Sequence, residues 1–210
     1  MILKLDAEAA GSAAPPSSAV AAALEALRAG LVIAVPTDTV YGLAADVRSE
    51  DGIGRLFAIK GRPVDVALPL LVSESKEIGG WAEMTPAADR LTRRFWPGPL
   101  TVVVARRAGI EVDLGGDAAT IGLRCPAHAP LRGLLWRSRA LAVTSANLHG
   151  EPALHTARAV AERFGDRVAV VLDGGRCEGR SSTVVSLVGL EPTLLRPGAI
   201  AFDEIIAALA

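Results

Sequence analysis

Two pairs of polar residues in this chain share one spacing. Lys60 and Arg62 flank Gly61 and precede Pro63, and Ser145 and Asn147 flank Ala146. Side chains two apart point to the same side of an extended segment but diverge on a helix. Pro63 biases Arg62 toward extended geometry and Gly61 weakens any helix there, so the spacing predicts an extended segment with both cations on one side. Such a pair suits phosphate oxygens, Arg through a bidentate fork and Lys as a point charge; a solvated pair closing a helix has the same sequence. Ser145 and Asn147 can bond a carboxylate, a phosphate or a nucleobase edge, and they are equally the residues of N-caps and Asx turns. Thr37, Asp38 and Thr39 after Pro36 read either as a hydroxyl-bearing loop or as a turn capping a helix from near Val40. Ser181, Ser182 and Thr183 open a strand, either as hydroxyl donors or as plain turn chemistry. Tyr41, the one tyrosine, reads as a core aromatic with a bonded hydroxyl.

The elements that must position these groups are short. Leu31–Val35 runs into Pro36–Thr39, Thr120–Leu123 into Arg124, Leu141–Thr144 into Ser145–Asn147, and Thr193–Leu195 into Arg196. Short apolar runs bounded by Pro and Gly read as buried strands, and ligands in α/β sheets sit outside the carboxyl ends of strands. The four run ends are therefore expected to converge on one crevice that takes phosphate or carboxylate. Further strands are predicted over 2–5, 68–72, 100–105, 168–172 and 183–188. Helices are predicted over 19–29, about 50–59, 86–96, 128–137, 156–164 and from 203 onward, with start signals at Ser17, Ser49 and Thr85-Pro86 and a stop at Gly30. Helices and strands alternate early while strands cluster late, which predicts an α/β (α+β) fold with a mixed sheet.

Composition narrows the chemistry. A chain of 210 residues can bury a full core as one domain, here 1–210. Half the residues are hydrophobic but only 4% are aromatic, so Ala, Val and Leu must fill the core. The net charge of −1 argues against a basic nucleic-acid coat. Nineteen of the basic residues are Arg and three are Lys (Lys4, Lys60, Lys76), a bias of genomic type that makes Lys60 informative. Cys125 and Cys177 form no Cys-x-x-Cys pair and are expected to be packed, reduced thiols of a cytoplasmic protein. Neither a membrane span nor a signal peptide is expected. His128, His149 and His155 lack metal-ligand spacing, and neither the phosphate-binding Gly-rich motifs nor Gly-x-Ser-x-Gly is present.

Taken together, these motifs resemble the YrdC/Sua5 family of threonylcarbamoyl-AMP synthases. Pro36-Thr-Asp-Thr-Val-Tyr-Gly-Leu43, Lys60-x-Arg62, Thr120-Ile-Gly-Leu-Arg124, Ser145-x-Asn147, Ser182-Thr-Val-Val185 and Leu195-Arg-Pro-Gly198 follow the family's order across roughly residues 17–202. The resemblance implies a YrdC-like twisted mixed sheet with a concave cationic cavity. It implies synthesis of threonylcarbamoyl-AMP and pyrophosphate from L-threonine, bicarbonate or carbon dioxide, and ATP, for N6-threonylcarbamoyladenosine in tRNA. By similarity, Thr39, Arg124, Ser145 and Ser182 contact threonine. Lys60, Arg62, Thr120, Asn147, His155 and Arg196 contact ATP or the bicarbonate-derived group, and Mg2+ rides on the ATP phosphates with no protein ligand. Removing Lys60 or Arg62 is expected to abolish synthesis with the fold intact. The partner implied is a tRNA threonylcarbamoyl-transferase complex that receives the product; direct tRNA binding and membrane association are not implied.

The chain departs from the family pattern at Val66 and Leu71, where a polar or cationic residue and a histidine are common. It departs again at His149 and His155, where hydroxyl residues are common. Its end near residue 210 fits the short form, without the C-terminal Sua5 domain. Competing readings are a catalytically silent paralogue, a carbamoyl-phosphate-using module of a hydrogenase-maturation protein, and an RNA-binding protein. The intact Lys60, Arg62, Ser145 and Asn147 set counts against the first, and the absence of acylphosphatase and zinc-finger segments against the second. The low aromatic content counts against a base-stacking platform.

Overall fold

The computed structural model describes residues 1–6, 11 and 14–210. Its sheet carries ten strands, formed by Ile2–Lys4 (β1), Ile33–Val35 (β2), Gly42–Asp46 (β3), Leu70–Leu71 (β4), Leu100–Ala105 (β5), Thr120–Arg124 (β6), Leu141–Ser145 (β7), Val170–Asp173 (β8), Thr183–Ser186 (β9) and Thr193–Arg196 (β10). Their spatial order is β1-β8-β2-β3-β7-β4-β6-β5-β9-β10. Four neighbouring pairs are parallel, namely β1 with β8, β2 with β8, β4 with β6 and β5 with β9. The other pairs are antiparallel, so the sheet is mixed, as the clustering of late strands predicts.

The helices form where caps permit. Ser17 accepts from the Val20 amide to start α1 (Ser18–Arg28), and Ser49 accepts from Gly52 to start α2 (Glu50–Lys60), whose Glu50 and Asp51 also suit the positive end of its dipole. Thr85 caps α3 (Pro86–Phe95), His128 caps α4 (Ala129–Ser138) and Thr156 caps α5 (Ala157–Phe164). Phe202–Ala207 is α6. No helix among the described residues is long and apolar enough to cross a membrane.

The period-two alternation of strands divides the core. Ile33, Val35, Leu141 and Val143 face α1 and α4, packing with Val20, Leu24, Leu27, Leu131 and Leu134. Ala34, Leu43, Val102 and Leu123 face the opposite way, packing with Ile53, Leu56, Leu91, Val160 and Ile205 of α2, α3, α5 and α6. Burial on both faces explains why these strands read as continuous apolar runs. The cluster under α1 and α4 ends at Leu71 and Val143, and the functional cleft opens beside it.

Of the two readings of Pro36–Thr39, the helix-capping one is not realised. No helix starts near Val40; the chain enters β3 instead. The Thr37 hydroxyl takes the Thr39 and Val40 amides and donates to the Val40 carbonyl, closing a turn. β3 then bonds β2 on one side and β7 on the other, and this pairing overrides the helix propensity of Leu43, Ala44 and Ala45. Several strands are also shorter than their apolar runs, β4 above all.

Downstream, Thr183 is fully buried; its hydroxyl donates to the Ile200 carbonyl at 2.7 Å and accepts from the Ile200 amide at 2.9 Å. This reciprocal pair fixes the chain leaving β10 against β9. Thr183→Val keeps the shape but orphans both groups, and should cost about 2–4 kcal/mol of stability in urea unfolding. Thr183→Ser should recover most of it. A Thr183→Val midpoint equal to wild type would remove this role.

Candidate functional site: a cationic cleft across the sheet

The cleft is lined by Thr37, Thr39, Arg62, Arg124, Ser145, Ser182 and Arg196 over an apolar floor that includes Pro69, Leu71 and Val143. Three cations thus line one small cavity, and among the described residues no carboxylate side chain lines it. The run ends do meet, but not at one edge. β7 is antiparallel to β4, while β4 is parallel to β6, so Arg124 pairs level with Leu71 and Leu141, at the start of β7, whereas Ser145 ends it. The expected single crevice therefore forms, lined by Thr39, Arg124, Ser145 and Arg196, although the strands that build it do not all point the same way. Residues from opposite ends of antiparallel strands meet across a face of the sheet.

Arg124 is almost completely buried. Its Nε donates to the Gly98 carbonyl at 3.0 Å, Nη1 to the Thr39 hydroxyl at 3.1 Å and Nη2 to the Asp38 carboxylate at 2.5 Å. Burial lowers its pKa, and the Asp38 charge opposes that shift. Because Thr37 donates to Val40, the Thr39 hydroxyl is the donor in its 2.9 Å bond to Thr37. A directed chain therefore runs from Arg124 through Thr39 to Thr37. Three of the five guanidinium hydrogens are engaged, and two remain for a ligand carboxylate.

Ser182 is the second hub. Arg196 donates to its carbonyl through Nε at 3.2 Å and Nη2 at 2.9 Å, and Nη2 also reaches its hydroxyl at 2.9 Å. The Thr101 hydroxyl lies 3.0 Å from the same oxygen. Sequence alone singles out neither Asp38 nor Thr101 as a contributor. Thr101 carries a signal, a lone hydroxyl within the apolar run Leu100–Ala105; Asp38 beside Thr39 is indistinguishable from turn chemistry.

Lys60 and Arg62 are brought together by a different route from the one expected. Lys60 is the last residue of α2, not part of an extended segment. Gly61 adopts φ +60 as a left-handed cap, and the Arg62 amide closes back on the Phe57 carbonyl at 3.2 Å. This Schellman turn reverses the chain, which Gly permits without the usual side-chain clash. Arg62 then enters the cleft. Lys60 lies beneath it, 2% exposed, donating to the Ser145 carbonyl at 2.7 Å, the Ser145 hydroxyl at 3.1 Å and the Asn147 side-chain oxygen. Three acceptors match the three hydrogens of a charged ammonium. Asn147 in turn donates to the Glu151 carbonyl at 2.5 Å. Lys60 is therefore a structural tie as well as a charge, so its removal cannot be expected to leave the fold untouched.

Asn147, buried against Lys60, does not line the cleft. Thr120 starts β6 at the end away from Arg124, and its hydroxyl donates to the Asp117 carbonyl at 3.2 Å. His155 bonds the Cys177 carbonyl through Nδ1 at 2.6 Å. These last two lie outside the cleft. Of the departures, Leu71 forms part of the floor and the Val66 carbonyl holds Arg62 at 2.7 Å. The His149 backbone ties to the Lys60 carbonyl at 2.9 Å. Both cysteines are free and buried, and burial pushes the Cys125 thiol up to about 11.

Comparison with known proteins places this chain in a family. The Sua5/YciO/YrdC family model, described as telomere recombination, matches residues 25–198. A threonylcarbamoyl-AMP synthase of Pyrococcus abyssi is 38% identical over 182 residues, 85% of this chain and 54% of the relative. A Mycobacterium tuberculosis protein provisionally named threonylcarbamoyl-AMP synthase is 37% identical over 195 residues, 92% of this chain and 90% of the relative. The crystal structure of P. abyssi Sua5 complexed with L-threonine superposes with a TM-score of 0.84 at 36% identity, over 90% of this chain and 56% of that one. The chain thus spans about half the length of the P. abyssi protein but nine-tenths of the mycobacterial one. It belongs to the Sua5/YciO/YrdC family.

The cation cluster has a pH signature. Burial first, then the like charges of Arg62 and Arg196, push Lys60 down to about 8, whereas an unfolded chain holds that proton to about 10.4. Between those values the unfolded state binds more protons, so this group makes stability rise with pH. The stability of wild type relative to Lys60→Met should climb from about pH 8 toward pH 10 in urea unfolding. A pH-independent difference would mean that Lys60 titrates as an ordinary surface amine.

Proposed function

We propose that this chain is a threonylcarbamoyl-AMP synthase, acting on L-threonine, bicarbonate or carbon dioxide, and ATP. The observation that carries the reading is the division of the cleft. Arg124 keeps guanidinium hydrogens free amid Thr39, Ser145 and Ser182, while Arg62 and Arg196 supply further positive charge with no carboxylate among the described residues lining the space. One half suits an amino-acid carboxylate and hydroxyl, the other a triphosphate. Membership of a family whose named relatives include threonylcarbamoyl-AMP synthases supports the assignment.

The reaction needs no protein nucleophile. The threonine amine attacks the carbon of carbon dioxide, or of bicarbonate with loss of water, and loses a proton to give a carbamate. A carbamate oxygen then attacks the α-phosphorus of ATP, the bond to the bridging oxygen breaks, and pyrophosphate leaves. The residues fit that demand, because among the described residues no His, Asp or Glu side chain lines the cleft to activate its hydroxyls as nucleophiles. Their work is positioning and charge stabilisation. Arg124 fixes the amino-acid carboxylate, Arg62 and Arg196 bind phosphate oxygens, and Lys60 adds charge from below while holding Ser145 in place. His155 and Thr120 do not line this cleft, and neither is assigned a primary contact. Mg2+ bound to the ATP phosphates would supply further charge neutralisation, and a cleft with no carboxylate among the described residues that line it would leave its coordination to phosphate and water. The product would pass to the enzyme that transfers threonylcarbamoyl to tRNA.

Pyrophosphate release from ATP should require both L-threonine and bicarbonate. Arg62→Ala should reduce it by about 10²–10³-fold while leaving the unfolding midpoint near wild type, because Arg62 lines the cleft. Release indifferent to threonine, or near-normal turnover in Arg62→Ala, would contradict the assignment and favour a silent or RNA-binding member of the family.

A further inference from the structure

Arg62 does not reach the cleft unaided. Its Nε donates to the Val66 carbonyl at 2.7 Å and its Nη2 to the Ala67 carbonyl at 2.8 Å. The orientation of the guanidinium is thus set by the backbone of the turn just downstream. That turn has no regular structure of its own and is gripped from outside. The Gly116 amide donates to the Val64 carbonyl at 2.8 Å, and the Leu68 amide donates to the Leu114 carbonyl at 2.8 Å. Leu68 and Leu114 are each 1% exposed, so the second bond is sealed from water.

The two glycines let the segments approach. Gly115 has φ +71, and a Cβ there would lie 2.4 Å from the Val64 carbonyl oxygen and 2.8 Å from the Phe57 ring. Gly116 has φ +65, and a Cβ there would meet Ala67 at 2.8 Å. Only glycine meets both the left-handed backbone and the close contact. The gripping segment is itself anchored. Asp113 accepts from the Gly115 amide at 2.9 Å, and Arg106 holds the Val112 carbonyl at 2.6 Å and the Thr120 carbonyl at 3.3 Å. The stretch between β5 and β6 is therefore tied at its base and presses its tip on the Arg62 turn.

We infer that Leu114-Gly115-Gly116 is a positioning clamp for Arg62, making this remote loop a determinant of triphosphate binding without touching ATP. The inference rests on the proposed contact between Arg62 and ATP. The clamp acts through the carbonyls of Val66 and Ala67, so those positions serve by their backbone, and the side-chain departure at Val66 is of no consequence to it. Small displacements of a charge that must meet a phosphate are costly.

The test uses Gly116→Ala, Arg62→Ala, their double variant and the milder Asp113→Ala, with ATP–Mg2+ and L-threonine affinities measured separately by calorimetry. Gly116→Ala should weaken ATP by about tenfold or more and leave threonine affinity unchanged. In the Arg62→Ala background it should cause no further loss, because the two residues act through one contact. Asp113→Ala, at an exposed position that threatens no core, should show a smaller loss of the same pattern. Parallel losses for both substrates, or additive losses in the double variant, would overturn the clamp. Amide exchange judges it independently of ATP. Gly116→Ala should release the Leu68 amide, whereas Arg62→Ala should not. An unchanged Leu68 amide in Gly116→Ala would overturn the clamp, while wild type that binds no ATP would overturn the assigned reaction instead.

Discussion

The site depends on a buried ammonium. Lys60 closes α2 and is spent on the end of β7, where it meets the Ser145 carbonyl and hydroxyl and the Asn147 amide oxygen. A charge so far from water is tolerable only when its hydrogens are satisfied, and these acceptors satisfy them. The bond unites the helix that delivers Arg62 with the strand that delivers Ser145. It also leaves net positive charge under the cleft, since the acceptors are neutral. Burial and the like charges of Arg62 and Arg196 work against this arrangement, and an anion bound in the cleft would offset the charge repulsion.

The same design recurs nearby. Arg196 rests on the Ser182 carbonyl and hydroxyl, as Lys60 rests on those of Ser145. Ser145 and Ser182, two of the proposed amino-acid contacts, are therefore each held by a cation of the proposed ATP set. Arg124 differs, because Asp38 neutralises it and Thr39 orients it. Its role suits recognition of a single carboxylate, whereas Arg62, Arg196 and Lys60 suit a ligand of higher charge. Prearranged dipoles and charges of this kind stabilise a developing anion with little reorganisation.

Much of this is legible in the sequence because the strands are buried on both faces and the helices are capped. Apolar runs such as Leu100–Ala105 and caps such as Ser49 and Thr85 give local signals that tertiary packing does not reverse. The motif order carries the family. Strand direction is not legible, since an apolar run has the same composition either way, so the meeting of Arg124 and Ser145 in one crevice is predictable while the antiparallel pairing of β4 with β7 is not. Gly61 weakens a helix by propensity, yet here it terminates one through local bonds from the Gly61 and Arg62 amides to the Ala58 and Phe57 carbonyls, and the same residues read equally as an extended segment. Leu43, Ala44 and Ala45 carry helix propensity and lie in β3, held by neighbours on both sides. Asp38 as the partner of Arg124 joins positions 86 residues apart, a relation equally invisible to local reading.

Proton uptake on ATP binding tests the account most directly. An anion beside Lys60 should restore its depressed affinity for a proton, so ATP–Mg2+ binding near pH 8.5, followed by calorimetry in buffers of different ionisation enthalpy, should take up protons. The uptake should disappear in Lys60→Met. Binding with no proton uptake, or with the same uptake in Lys60→Met, would contradict a buried cation held ready for a triphosphate.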